Sequence, residues 1–381
     1  MAAERKKNFN RMVGDRIRVA REASGLSQKQ LSDLLGFKDR QTLSSIETGQ
    51  RKITSEELLS LIRVLKKDLD FFTDPFRLVG EGIFSWRSQA SPAELETFEE
   101  MARGWIAVYR TLGEDLGETF NPLVPQLGLT IRSSFEEAWS AAERLNQSWG
   151  LGPRPATILP GIVEKQLDIL VLHVDMRGVP ISGAACHLPE FNTILINRRE
   201  REGRRAFDFA HELFHILTWA SMPPAHVDTG NPTGTKAKRI ELLANNFAGA
   251  LLMPRDAVVE QWNQRGKKEI HNWIKLTAEE FSVTAIALFN RLRALNLIPL
   301  TERASVDESR LTWTGRFPVE SKLPPLFSEK YVRRVRKALD KGLISERRAA
   351  DLLGLMTEEM SELMETYGLG PKAGKASADG A

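Results

Sequence analysis

The 381-residue sequence predicts a multidomain fold: an all-α helix-turn-helix bundle at the N-terminal end, an α+β domain in the middle and a helical C-terminal region. Three observations carry that prediction. Residues 12–72 alternate short apolar-periodic segments with capping residues and glycine stops, as short helices do. Residues 167–197 hold three short β-rich runs separated by turn residues. Two strongly apolar helical segments follow, each with its polar residues gathered on one face. A chain this long can bury more than one core. Its expected parts are a bundle over 1–74, a helical linker over 75–130, the α+β domain over 131–300, and a helical region with a disordered tail over 301–381.

In the bundle, Asp15 to Ala23 reads as a first helix ending at Gly25. Ser27 caps a second, Gln28 to Leu35, which stops at Gly36, and a third begins near Asp39 and stops at Gly49. Leu31, Leu34, Leu35, Leu43, Ile46, Leu58, Leu61, Ile62 and Leu65 supply a core at helical spacing. Charge is uneven: residues 1–67 hold 15 Lys plus Arg against 8 Asp plus Glu, a balance of +7, whereas the whole chain carries +3. A basic module on a mildly acidic body points to nucleic acid at that end.

Ser91-Pro92-Ala93-Glu94 is a capping box opening a helix to about Leu116. Its stripe of Phe98, Met101, Trp105, Tyr109, Leu112 and Leu116 is read as core or a dimer seam. Phe120 to Thr130, with Pro122, Pro125 and Gly128, reads as a linker. A second capped helix, Ser134 to Trp149, precedes strands expected at Leu167 to Asp175, Ile181 to Leu188 and Thr193 to Asn197. Beyond Pro299, residues 327–367 read as a helical scaffold with a basic face, and the last dozen residues as disordered.

The sequence His211-Glu212-Leu213-Phe214-His215 carries the chemistry. Two imidazoles four residues apart share a helix face and can hold one tetrahedral zinc ion, with Glu212 turned toward water as general base. The helix from Arg239 to Met253 offers Glu241 as third ligand, with Asn245 one turn later on the same face. His226, in the loop between these helices, is a candidate to bind an oxyanion. Cys186 is the only cysteine, so no internal disulfide is possible. No segment approaches the length of a membrane span and MAAERKKNFN lacks an apolar stretch, so no membrane partner and a cytoplasmic location are expected.

HELFH followed by E-L-L-A-N-N-F-A-G-A-L-L-M-P resembles the ImmA/IrrE family of metallopeptidases, with Arg204, Phe207 and Ala210 fitting its lead-in. The resemblance implies an α+β zincin-like metallopeptidase domain in which His211, His215 and Glu241 bind zinc and Glu212 is the base. Asp208 stands where that family commonly has a hydroxyl residue. Phe214 stands where it commonly has glycine, which would narrow the cleft. L-S-Q-K-Q-L-S-x-L-L-G followed by I-E-x-G-x-R resembles the XRE type of helix-turn-helix. That implies a third helix in the major groove, reading base edges with Arg40, Gln41, Thr42, Ser44 and Ser45, while Gln28, Lys29, Arg51 and Lys52 serve phosphates. It also implies a buried Arg21–Glu47 ion pair. One extra residue in the turn at Phe37 to Asp39 shifts the base-facing register by one.

Together these imply a regulator that binds a double-stranded operator as a homodimer. Its zinc peptidase would cleave a repressor protein, or its own chain, in a stress, DNA-damage or phage response. Two readings stay open beside it: a repressor or antitoxin-like regulator whose zinc is structural or sensory, and a peptidase whose helix-turn-helix binds protein.

Overall fold

A computed structural model of the protein describes residues 2–121, 124–229, 234–312 and 323–370. Pro122 of the expected linker and residues 371–381 of the expected disordered tail lie outside the described residues. The chain folds as two compact units. One draws on the chain up to Gly82, on Glu96–Thr119 and on the stretch from Val332; the other on Ile83–Leu95 and Phe120–Tyr331.

The first unit begins with α1 (Ala2–Ala23), α2 (Gln28–Leu34), α3 (Arg40–Glu47), α4 (Ser55–Leu65) and α5 (Leu69–Thr73). Val13, Ile17, Leu31, Leu43, Ile46, Leu61, Leu65 and Phe72 form its core. Each turn has a local cause. Ser27 and Gln30 cap α2 reciprocally, Asp39 accepts from the Thr42 amide to start α3, and Thr54 and Glu57 box the start of α4. Helix α1 begins earlier than the expected Asp15. Its Gly14 is required by packing: a Cβ there would sit 2.2 Å from the Ile46 carbonyl oxygen.

The second unit is built on a five-stranded mixed sheet of order β2-β4-β3-β1-β5, with β1 Ile83–Ser88, β2 Leu170–Val174, β3 Ile181–His187, β4 Asn192–Asn197 and β5 Val227–Asp228. Strands β1 and β4 flank β3 antiparallel, β2 runs parallel to β4, and β5 parallel to β1. The linker expected to be helical therefore contains a strand. Phe84 and Trp86, two apart on one face, stack at 5.3 Å and are buried, a burial gained only by pairing with β3 far along the chain. Helix α6 (Pro92–Leu116) follows, with Ser91 and Glu94 capping it as expected.

Helices α7 (Phe135–Trp149), α8 (Leu159–Leu167), α9 (Glu202–Thr218) and α10 (Thr235–Leu252) come next. The expected strand start at Leu167 is instead the end of α8, where Asp168 turns left-handed and releases the chain into β2. Helix α9 packs on β3 and β4, and α10 on α7 and α9. Leu129, inside the expected linker, lies in this core. Helices α11 (Arg255–Asn263), α12 (Ile270–Glu280), α13 (Ala285–Ala294), α14 (Leu300–Ser305) and α15 (Glu308–Thr312) complete the unit.

Helices α16 (Glu329–Asp340), α17 (Glu346–Leu353) and α18 (Thr357–Thr366) form the C-terminal region. Within the first unit, Trp105 Nε1 of α6 donates to the Leu353 carbonyl at 3.2 Å. The Arg334 guanidinium lies 3.6 Å over the Tyr109 ring. Phe98, Trp105, Tyr109 and Leu112 are buried, so most of the α6 stripe is core, while Met101 stays 45 % exposed.

Candidate metal centre and nucleic-acid interface

Every residue of α9 from Asp208 to Thr218 is buried. His211 and His215, one turn apart, bring their Nε2 atoms to 3.1 Å of each other. Glu241 reaches across from α10, its Oε2 at 2.9 Å from His211 Nε2 and its Oε1 at 3.5 Å from His215 Nε2. The three ligand atoms lie within 4.8 Å of one another, and no other such cluster of three occurs among the described residues. Asn245, one turn beyond Glu241, offers Oδ1 at 3.1 Å from His211 Nδ1. An amide oxygen can only accept, so Nδ1 carries the proton and Nε2 keeps its lone pair toward the cluster.

Glu212 packs toward β3, where a Cβ at Gly183 would sit 3.8 Å from its Cγ. Asp208, fully buried, accepts from Arg204 Nε at 2.8 Å and faces Arg87 Nε of β1 at 3.5 Å. Arg87 carried no local signal in the sequence, because its role depends on a strand read as linker. Phe214 does not narrow a cleft: its ring is fully buried and packs on Phe247 at 5.4 Å. His226 is exposed and stands outside the cluster; its carbonyl accepts the Trp86 amide and so helps join β5 to β1.

The electrostatics follow from burial. Loss of water, then the nearby Arg87, pushes His211 down to about 3. Loss of water pushes Glu212 up to about 8 against the pull of His215 and Arg87. Burial opposes charge on His215 and on Glu241 as well, but Glu241 beside His215 raises that imidazole, and His211 and then His215 beside Glu241 hold its carboxyl well below the usual range. Two buried atoms of the cluster, His215 Nδ1 and Glu241 Oε2, have no hydrogen-bond partner. Two imidazoles and a carboxylate, closely converged and incompletely satisfied, are a donor set that fits zinc.

In the helical bundle Lys29, Arg40, Gln41 and Lys52 are exposed, while Thr42, Ser44, Ser45 and Arg51 are half-buried. The Thr42 hydroxyl lies 3.1 Å from the capping Asp39 Oδ1. Arg51 forks onto both oxygens of Glu57, at 3.1 and 2.8 Å, which fixes where its guanidinium points. Gln28, half-buried, donates one Nε2 hydrogen to Glu47 at 2.8 Å, which leaves its second amide hydrogen for another acceptor. The same Glu47 takes Arg21 Nε at 2.7 Å, forming the buried pair expected from the resemblance.

A helix-turn-helix bundle and an α+β unit with a histidine and glutamate cluster define a DNA-binding type of module joined to a peptidase type of domain. Residues 17–72 match the family model described as Helix-turn-helix. Residues 164–293 match that of Peptidase_M78, described as the IrrE N-terminal-like domain, so the chain is an XRE-type helix-turn-helix fused to an ImmA/IrrE-like peptidase-family domain. No curated protein matches the sequence. Among solved structures, the apo form of the competence regulator ComR from Streptococcus vestibularis aligns over 95 % of this chain and 100 % of its own at 10 % identity, with a TM-score of 0.16 that carries no argument. Among the described residues no helix is long and apolar enough to cross a membrane.

Proposed function

We propose that this protein is a cytoplasmic, DNA-binding transcription regulator whose zinc-dependent peptidase domain cleaves a repressor protein, or its own chain, in a stress, DNA-damage or phage response. The observation that carries the peptidase reading is the convergence of His211, His215 and Glu241 beside Glu212 in a buried setting. Zinc, when held by those three residues, supplies Lewis acidity toward water and a peptide carbonyl. Glu212 takes the proton that the attacking water gives up and returns it to the leaving amine. Burial, which raises the Glu212 carboxyl, suits that second step, and the ionised form needed for the first would be favoured by a divalent ion held on His211, His215 and Glu241. Asn245 keeps His211 in the tautomer that presents Nε2.

In the helix-turn-helix bundle, α3 enters the major groove of an operator, with Arg40, Gln41, Thr42, Ser44 and Ser45 toward the bases and Gln28, Lys29, Arg51 and Lys52 toward phosphates. A homodimer would read paired half-sites. The decisive experiment is elemental analysis of zinc in wild type, His211→Ala and Glu241→Ala, followed by cleavage assays on operator-bound repressor proteins with wild type and Glu212→Gln. Stoichiometric zinc lost in both ligand variants, with cleavage lost in Glu212→Gln, is the expected result.

One observation favours a second reading, in which the zinc is structural or sensory. His211, Glu212 and His215 are each only 1 % exposed, and Glu241 9 %, which leaves a substrate little access. On that reading Glu212→Gln changes no phenotype, while His211→Ala still releases zinc.

A further inference from the structure

A cavity of about 590 Å³ in the second unit is walled by α7, α9, α10, α13 and α14, and none of the catalytic or metal-ligating candidates lines it. Its wall is unusual in charge: Arg204, Arg291, Arg293 and Arg303 line it, and no acidic side chain is among its lining residues. Three of these arginines already have partners outside the cavity. Arg204 pairs with Asp208, Arg291 with Glu143 at 2.8 Å, and Arg293 with Glu308 at 3.9 Å.

Arg291 is the informative one. Its side chain is 2 % exposed, its Nε donates to the Met253 carbonyl and its Nη2 to Glu143, yet its Nη1 is buried with no hydrogen-bond partner. A guanidinium is never deprotonated in ordinary conditions, so an unsatisfied N–H on it represents lost hydrogen-bonding free energy unless something occupies the neighbouring space. Beside the arginines the wall carries neutral polar side chains, among them Asn245 and Asn290, and two flat aromatic ones, Phe207 and Trp139, whose Nε1 is already committed to Asn246.

We infer that this cavity binds a small organic anion, a carboxylate or phosphate carried on a flat apolar body, with the anion on Arg291 Nη1 and Arg303 and the body against Trp139. The shape and volume suit such a molecule. Asn245 also lines the cavity, and it is the residue that orients His211. An occupant therefore touches the support of the metal centre without touching its ligands. The inference does not depend on peptide cleavage and stands under either reading of the zinc.

The test is isothermal titration of the full-length protein with three matched probes: 2-naphthoate, 2-naphthyl phosphate and the neutral 2-naphthamide. Saturable one-to-one binding of at least one anion is expected, with the amide much weaker. The anion that binds names the headgroup. Arg303→Gln, on the half-buried rim, should weaken that binding by about tenfold, the size of one charge-assisted hydrogen bond. Ala287→Phe, which fills the cavity from α13, should abolish it, with circular dichroism checking that both variants are folded. No binding of either anion, equal binding of the amide, or undiminished binding in both folded variants would overturn the inference.

Discussion

The buried carboxylates of Glu47 and Glu241, one facing a guanidinium and the other two imidazoles, are built differently. In the bundle, Glu47 receives Arg21 Nε and Nη2 at 2.7 and 3.2 Å and Gln28 Nε2 at 2.8 Å, so both its oxygens are satisfied by protein donors. In the second unit, Glu241 and His215 each keep a buried polar atom without a partner. Satisfied buried networks fix a fold, whereas buried groups with spare capacity mark a place for something else. The first cluster is architecture and the second has the character of a binding site.

The sharpest way to break that contrast is Glu212→Gln, which should keep zinc but lower cleavage of the cognate substrate by roughly 10²–10⁴-fold, the span of a lost general base. Next in size, Glu47→Ala strands the Arg21 guanidinium in the bundle. It should cost about 3–5 kcal/mol in urea unfolding, because one partner of a buried pair is left uncompensated; Glu47→Gln, which retains a hydrogen-bonding oxygen, should cost less. Asn245→Ala should weaken zinc affinity by roughly 10–100-fold in chelator competition, since it frees the tautomer of His211.

A fourth effect depends on pH. His173 of β2 is pushed down to about 4 by burial and then by Arg205 and Arg198, whereas the unfolded side chain protonates near 6.5. Protons between those values therefore favour the unfolded chain. The stabilisation from keeping His173 neutral is complete above 6.5 and is lost as pH falls toward 4. The melting temperature of His173→Leu should fall less than that of wild type between pH 7 and pH 5. Smallest, Thr54→Ala removes the α4 cap and should cost about 1 kcal/mol.

What could be read in the sequence was what is decided locally. The caps at Ser27, Asp39, Ser91 and Ser134 each involve a residue three positions away, and HExxH depends on one helical turn. The one-turn spacing of Glu241 and Asn245 within α10 is local in the same way, whereas their approach to His211 joins two helices. Strands β1 and β5 were not, because their burial comes from pairing across the chain rather than from their own pattern. Arg87 went unread with its strand. Phe214 was misjudged because a helix position says which face a ring leaves by, not whether Phe247 waits there to cover it. The tie of Gln28 to Glu47 spans nineteen positions and has no local signal.

Strand β1 has a consequence for how the protein is made. It leaves the ribosome about 100 residues before β3, its antiparallel partner, which at roughly 5–20 residues per second is a wait of about 5–20 s. Through that interval Phe84 and Trp86 have no ladder to shelter them, while the bundle upstream already has every residue of its α1–α5 core in hand. A gene trimmed to begin at residue 131 would lack β1 altogether and leave β3 without that partner. The edge of β3 that β1 covers would be open to the same strand of another molecule, and the fragment would be expected to aggregate rather than fold as the unit does.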